Sequence, residues 1–122
     1  MPNPSPYESY RNGLALIESG DHHAAVIALM AAHEADPDAP SVREALGRAY
    51  FGAHRYREAA TEFEAVVERY PTNDYALFCL GRSLQLLGAH EAAVRPLALA
   101  ACMQPDREDY RSYRDAARRL AA

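Results

Sequence analysis

The sequence repeats itself with a strict period of 34 residues. Three positions of the period carry the same residue type in all three copies: Gly13, Gly47 and Gly81; Ala25, Ala59 and Ala93; and Pro37, Pro71 and Pro105. No insertion breaks this register between residues 6 and 107. A period of this length is typical of a helical repeat array, in which each unit packs mainly on its neighbours. We therefore predict an all-α fold.

Apolar residues at helical spacing mark two helices in each period. In the second period Val42, Leu46 and Tyr50 form one such series, and Phe63 with Val67 belongs to the next. A glycine inside a helix costs about 1 kcal/mol relative to alanine. We expect the three repeated glycines, together with the alanines twelve residues later, to leave room for the backbone of the paired helix. The repeated prolines are expected to end each second helix.

With these positions the chain resembles the tetratricopeptide repeat family. The second period matches the family pattern at Leu46, Gly47, Tyr50, Ala59, Phe63 and Pro71. The aromatic residue usual near the start of each unit is missing, since Ser9, Arg43 and Leu77 stand there. The resemblance implies a right-handed superhelical α-solenoid of about seven helices. We expect a flexible Pro-rich tail (1–5), three repeats (6–39, 40–73 and 74–107) and a capping helix (108–122).

The capping helix is expected to cover the third repeat with four side chains. These are Tyr110, Tyr113, Ala117 and Leu120. Acidic residues at the start of the segment and Arg118-Arg119 near its end suit the dipole of a helix. The tail is expected to fray. The alternative is that Pro2, Pro4 and Pro6 hold an extended strand that lies in the groove of the array.

The resemblance also implies that the first helix of each repeat lines a concave groove for a peptide. The positions carried over are Tyr7, Tyr10, Leu14, Ile17 and Glu18; Ser41, Glu44, Arg48 and Phe51; and Tyr75, Phe78, Arg82, Gln85 and Leu86. Aromatic residues would supply most of the contact area. The four expected anchors are Tyr10, Phe51, Tyr75 and Phe78.

Arg48 and Arg82 occupy equivalent positions and are expected to orient the bound segment by gripping an acidic group. The alternative is that each pairs with a groove acid such as Glu44 or is solvated. Some family members hold chaperone tails with a carboxylate clamp of Lys and Asn. This chain has Tyr10, Leu14, Ala45 and Tyr75 at those positions, so we do not expect it to bind such tails.

The composition and charge of the chain argue against several classes of function. The net charge is −4 and the longest basic run is Arg118-Arg119, which argues against nucleic-acid binding. The longest apolar run, from Ala24 to Ala32, is too short for membrane insertion. The N-terminus has no signal-peptide pattern, and the two cysteines favour a reduced, cytoplasmic location. All 13 basic residues are arginine and alanine is abundant, which suggests a GC-rich bacterial genome.

Several residues are of types that often catalyse reactions or bind metals, but we expect them to have structural roles. His22, His23, His54 and His90 are expected to be exposed residues of inter-helix turns, and we expect no metal site and no cofactor. Cys79 and Cys102 are expected to be small apolar side chains, and Glu58, Glu62 and Glu68 to form a solvated outer face. Pro96 falls inside a predicted helix, where we expect a bend.

We therefore interpret the chain as a non-enzymatic adaptor that binds a peptide or an apolar segment of another protein. The alternative is a homo-oligomerising scaffold, such as a homodimer, or a small holding chaperone that buries its apolar groove on itself or on a client. An enzyme is a third class, and no motif in the sequence supports it.

Overall fold

The computed structural model describes residues 3–122, and this part of the chain contains α-helices and no β-strand. The seven helices are α1 (Pro6–Glu18), α2 (His22–Ala35), α3 (Pro40–Gly52), α4 (Tyr56–Arg69), α5 (Asp74–Leu86), α6 (His90–Met103) and α7 (Glu108–Ala121). The first helices of the repeats begin at residues 6, 40 and 74, and the second helices begin at 22, 56 and 90. The structure is thus an all-α helical repeat fold of three helix pairs and a capping helix, as predicted.

Local signals in the sequence explain where the helices begin and end. Ahead of α1, the Ser5 hydroxyl accepts a hydrogen bond of 3.1 Å from the backbone N–H of Glu8. Ahead of α5, the Asn73 side-chain oxygen accepts one of 3.0 Å from the backbone N–H of Ala76. The second helices end at residues 35, 69 and 103, two residues before each repeated proline. Residues 1 and 2 of the expected tail lie outside the described residues. Its other three residues, Asn3, Pro4 and Ser5, are exposed.

The chain divides into two compact units, Met1–Glu62 and Phe63–Ala122. In the first unit α1 packs on α2, and both contact α3. Ala25, Leu29 and Ala32 of α2 are buried. A Cβ atom at Gly13 would lie 2.5 Å from Leu29 Cγ. The glycine therefore makes room for a leucine side chain of the paired helix, and not for its backbone as we expected.

In the second unit α5, α6 and α7 pack on one another. The Leu97 side chain occupies the space beside Gly81 that a Cβ atom would need, which repeats the arrangement at Gly13. Tyr110 and Ala117 of α7 are fully buried in this unit. Leu120 is 62% exposed, so it covers the third repeat less than expected. Leu120 borders an open cavity beside the start of α6.

The remaining expectations concern Pro96, the two cysteines and membrane insertion. Pro96 is buried inside α6, which remains helical from His90 to Met103; the bend expected there stays a prediction. Cys102 is exposed and Cys79 is half-buried, so the cysteines do not share one environment. Within residues 3–122, no helix is both long enough and apolar enough to cross a membrane.

Candidate functional site

The predicted groove residues of the first unit lie on α1 and α3, which are neighbours. We call them the α1–α3 surface: Tyr7, Tyr10, Leu14, Ile17, Glu44, Arg48 and Phe51. Their spacing places the members on each helix along one side of it. Tyr7 is 67% exposed, and the others are half-buried. Half-buried aromatic and aliphatic side chains keep apolar area in contact with water, which a bound apolar segment could cover.

Contacts within the first unit hold some of these side chains in place. The Phe51 ring packs edge-to-face on Tyr56, with centroids 5.3 Å apart. The guanidinium of Arg11 lies 5.9 Å from the centre of the Tyr7 ring. Arg48 forms no hydrogen bond or ion pair with the residues that the structure describes. Its guanidinium therefore has all its N–H donors available to a ligand or to water.

The equivalent residues of the second unit have a different environment, because α7 packs on α5. The Phe78 ring stacks on Tyr110 with centroids 4.5 Å apart and meets the edge of Tyr113. The Arg82 guanidinium lies 4.0 Å from the centre of the Tyr113 ring. These two side chains already have aromatic partners inside the unit.

Gln85 links Arg82 to the backbone of the capping helix. Its Oε1 accepts a hydrogen bond of 2.9 Å from Arg82 Nη1, and its Nε2 donates one of 2.9 Å to the carbonyl of Tyr113. Of the residues predicted on α5, Tyr75 is 38% exposed and Leu86 is 43% exposed. Arg82 is therefore part of a structural network, whereas Arg48 is not.

A hydrogen bond fixes the start of α7 to the start of α5. The Tyr110 hydroxyl donates to Asp74 Oδ2 at 2.9 Å, and the Arg107 guanidinium lies 4.3 Å from the centre of the Tyr110 ring. Burial, with the nearby Asp74 carboxylate, raises the pKa of Tyr110 to about 12. The phenol therefore stays protonated and serves as a donor at physiological pH.

A charged cluster in the first unit was missed by the sequence analysis. Arg43 Nη1 lies 3.7 Å from Glu62 Oε2, and Arg43 Nε donates to the Pro37 carbonyl at 2.8 Å. Burial raises the pKa of Glu62, while electrostatic interactions with His33 and Arg43 oppose that effect. The Glu62 side chain is only 14% exposed and so does not lie on a solvated outer face as predicted. Its counterparts Ala28 and Pro96 are apolar, and that difference was the available signal.

The histidines also lie elsewhere than expected. His22 and His90 are the first residues of α2 and α6, His23 follows His22, and only His54 lies in a turn. His22 is half-buried, and its ring fills the space beside Gly52 where a Cβ atom would stand. Three of the four therefore lie at helix starts and not in turns as predicted, because the turns are only three residues long. His23 and His54 are exposed as predicted, whereas His22 and His90 are half-buried. No group of three or more metal-binding side chains occurs in residues 3–122.

An open cavity of about 650 Å³ lies in the second unit, between the start of α6 and the end of α7. Its lining consists of residues 88–92 together with Leu120 and Ala121. His90 and Glu91 are the only side chains in this lining that can transfer a proton. Nothing in the cavity orients one of them toward a nucleophile, so it has no recognisable catalytic arrangement.

Comparison with known proteins establishes the class to which this fold belongs. The family model of the tetratricopeptide repeat matches residues 44–110, which is more than half of the chain. The chain belongs to the tetratricopeptide repeat family. Superkiller complex protein 3 of Mus musculus is 33% identical over 96 residues, which cover 79% of this chain and 6% of that protein. Its Homo sapiens counterpart is 36% identical over 84 residues, which cover 69% of this chain and 5% of that protein.

Solved structures share the fold at low sequence identity. The first TPR domain of Spaghetti (RPAP3), bound to the HSP90 peptide SRMEEVD, superposes with a TM-score of 0.87 at 17% identity, over 96% of this chain and 94% of that one. The second TPR domain of human RPAP3, in complex with the HSP70 peptide SGPTIEEVD, gives 0.83 at 14% identity, over 93% and 98%. A MamA structure (AMB-1) gives 0.84 at 22% identity, over 93% and 62%. These likenesses show the fold alone.

Proposed function

We propose that this chain is a non-enzymatic adaptor that binds a peptide or an apolar segment of a partner protein along the first helices of its repeats. The observation that carries the proposal is the α1–α3 surface, where half-buried aromatic and aliphatic side chains lie along two neighbouring helices. Arg48 on this surface has no partner among the described residues. The family and the peptide-bound RPAP3 structures support this kind of function.

The chemistry of the surface favours an apolar segment that also carries an acidic group. Tyr10 and Phe51 offer flat apolar area, and Arg48 offers paired N–H donors that suit a carboxylate. The peptides in the RPAP3 structures end in EEVD. This chain has Tyr10, Leu14, Ala45 and Tyr75 where the carboxylate clamp has Lys and Asn. We therefore propose that the ligand is an internal apolar segment and not such a tail.

Contacts in the second unit make Arg82, Phe78 and Gln85 weaker candidates than their counterparts. A ligand that used the Arg82 guanidinium would compete with Tyr113 and Gln85. We therefore assign orientation of the ligand to Arg48 alone. Within the second unit, Tyr75 and Leu86 keep more than a third of their surface exposed and are the α5 residues that we propose as candidates for ligand contact.

All 13 basic residues are arginine, which leads us to propose a bacterial source. The two cysteines, which lack metal-ligand spacing, lead us to propose a cytoplasmic location. The relatives named above are mammalian proteins, and the chain spans 5–6% of their length. Their activities and partners are therefore a weak guide to those of this chain.

Selection from a library of displayed random peptides against the immobilised chain tests the proposal. The affinity of each selected peptide is then measured by fluorescence anisotropy for the wild type, Arg48→Glu and Phe51→Ala. We expect apolar peptides with at least one acid, and at least a tenfold loss of affinity in both variants, because each removes a central contact. Peptides ending in EEVD are expected to show no measurable binding.

Arg57→Glu is the matched control, since Arg57 is an exposed arginine on α4 outside the surface. It makes the same charge change and should leave the affinity unaltered. The proposal is wrong if Arg48→Glu and Arg57→Glu bind the selected peptides equally well. Arg82→Glu should lower the melting temperature because it removes the contact with Tyr113, so it does not test binding cleanly.

A homo-oligomeric scaffold is the second candidate function. One observation favours it: α2 carries two large apolar residues, Ile27 and Met30, that are 73% and 44% exposed. They lie outside the α1–α3 surface, so self-association need not exclude binding of another protein.

A further inference from the structure

Helix α2 is apolar on two opposite sides. Ala25, Val26, Leu29 and Ala32 are buried against the rest of the first unit. On the opposite side, at about 100° per residue, a second set falls within an arc of about 100° and is exposed. We call this set the α2 outer face: His23, Ile27, Met30, Ala31 and Glu34.

The matching positions of the other repeats show that this apolar character is not needed for the fold. Where the first repeat has Ile27, the others have Thr61 and Arg95. Where it has Met30, they have Glu64 and Ala98. Thr61, Glu64 and Arg95 are all exposed, as Ile27 and Met30 are. Exposed apolar residues that only one repeat carries are typical of a contact surface.

The order of residues along the α2 outer face is self-complementary. If two copies of α2 pack antiparallel about the midpoint between Ala28 and Leu29, Ile27 faces Met30 of the second copy. The same operation places His23 opposite Glu34. A two-fold axis makes each contact twice, so two apolar contacts lie at the centre and two polar pairs lie outside them. Ala31 is small enough to let the helices approach closely.

We propose that the α2 outer face is the contact surface of a homodimer, in which α2 of one copy packs antiparallel on α2 of a second. The polar pairs support this occupant in particular. The carboxylate of Glu34 accepts a hydrogen bond from the imidazole of His23, and the chain supplies both members of the pair at the correct spacing. A partner of different sequence would have to match that spacing independently.

The size of the contact predicts a weak dimer. α2 has 14 residues and is therefore about 21 Å long. A standard interface buries about 800 Å² on each partner, and one helix face offers less. We expect a dissociation constant on the order of micromolar to millimolar, so that the assembly depends on concentration. Such a dimer would leave the α1–α3 surface of both copies free and allow bivalent binding.

Light scattering behind size exclusion, with sedimentation equilibrium from about 1 μM to 1 mM protein, tests the proposal. The expected result is a mass that rises from that of the 13.5 kDa monomer towards twice that value. The variant Ile27→Thr with Met30→Glu carries the residues of the second repeat at the same exposed positions. It should fold and remain monomeric throughout.

The matched control is Leu99→Ala with Met103→Arg, which carries the second repeat's residues Ala65 and Arg69 on the outer side of α6. Leu99 and Met103 are 36% and 37% exposed, and their removal should leave the association unchanged. A wild type that stays monomeric at all concentrations overturns the proposal. So does a dimer that persists in the Ile27→Thr, Met30→Glu variant.

Charge exchange tests the antiparallel orientation. Glu34→Arg places an arginine opposite each His23 and should weaken the dimer at least tenfold. Adding His23→Glu restores opposite partners and should recover most of the affinity. In a parallel pairing each residue would face its own copy, and the second change would not rescue the first. Absence of rescue therefore overturns the antiparallel arrangement.

Discussion

His54 adopts a left-handed backbone conformation in the turn between α3 and α4. Gly20, His54 and Gly88 occupy the same position in the three repeats, with φ angles of 85°, 61° and 80°. Glycine adopts this left-handed conformation without a steric penalty, whereas a residue with a Cβ pays about 1–2 kcal/mol. The middle repeat therefore carries a strained residue where its neighbours carry none.

His54→Gly is expected to stabilise the chain by about 0.5–1 kcal/mol, because relief of the strain exceeds the entropy that glycine loses on folding. The measurement is the free energy of unfolding from urea denaturation followed by circular dichroism. Ala53→Gly is the control, since Ala53 has a φ of −83° and gains nothing from glycine. A His54→Gly variant no more stable than the wild type would show that stacking of His54 on Tyr56 outweighs the strain.

Residues that are equivalent in the sequence can still differ in their surroundings. The period predicts that Arg48 and Arg82 lie at the same position on successive first helices, and the helix bounds agree. It could not predict that Tyr113 packs on Arg82 and leaves Arg48 without such a partner, because that contact comes from the capping helix outside the repeats. Burial of Glu62 was equally hidden, since a glutamate is ordinarily solvated and the period does not show that Arg43 lies beside it.

The helices were the most predictable feature, since their starts follow the period of the sequence. Glycine, alanine and proline recur for steric reasons that hold in every repeat, as the spaces beside Gly13 and Gly81 illustrate. The contacts of α7 were predicted less well. Tyr110 and Ala117 are buried as expected, but Leu120 is exposed and borders an open cavity beside the start of α6.

The hydrogen bond between Tyr110 and Asp74 should make the attachment of α7 sensitive to alkaline pH. The pKa of Tyr110 is raised from 10.0 to about 12, so the folded state holds this proton more tightly than the unfolded state does. Its contribution to stability is complete below pH 10 and is lost as the pH rises to about 12. We expect the melting temperature of the wild type to fall steeply in this window.

Tyr110→Phe removes the titrating hydroxyl and should flatten that dependence. At pH 7 the variant should be about 1 kcal/mol less stable, because the Asp74 carboxylate loses a donor. Thermal melts of both proteins at pH 9, 10 and 11 make the comparison. Burial also raises the pKa of Tyr50, but this residue is present in both proteins, so its effect cancels from the comparison. Equal slopes in the two proteins would contradict a role for the Tyr110 hydroxyl.

At the scale of the whole molecule, the start of α7 keeps the register of the first helices, since residue 108 lies one period after residue 74. A duplicate of residues 74–107 inserted before Glu108 should therefore fold as an additional helix pair. Stability in repeat arrays grows with the number of packed units, so we expect a higher melting temperature. Duplicating residues 74–89 alone, which adds one helix, is the control and should lower it. A full duplicate that melts below the parent chain would contradict the prediction.

The shared register of α7 and the first helices also bears on how such a chain changes in evolution. Recombination between the gene's own repeats adds or deletes whole periods, and each event leaves the capping helix beside the same kind of neighbour. The length of the protein can thus change in a single genetic step, whereas its helix contacts change one substitution at a time. Kinship within such a lineage is therefore better judged by residues inside the period than by the number of periods.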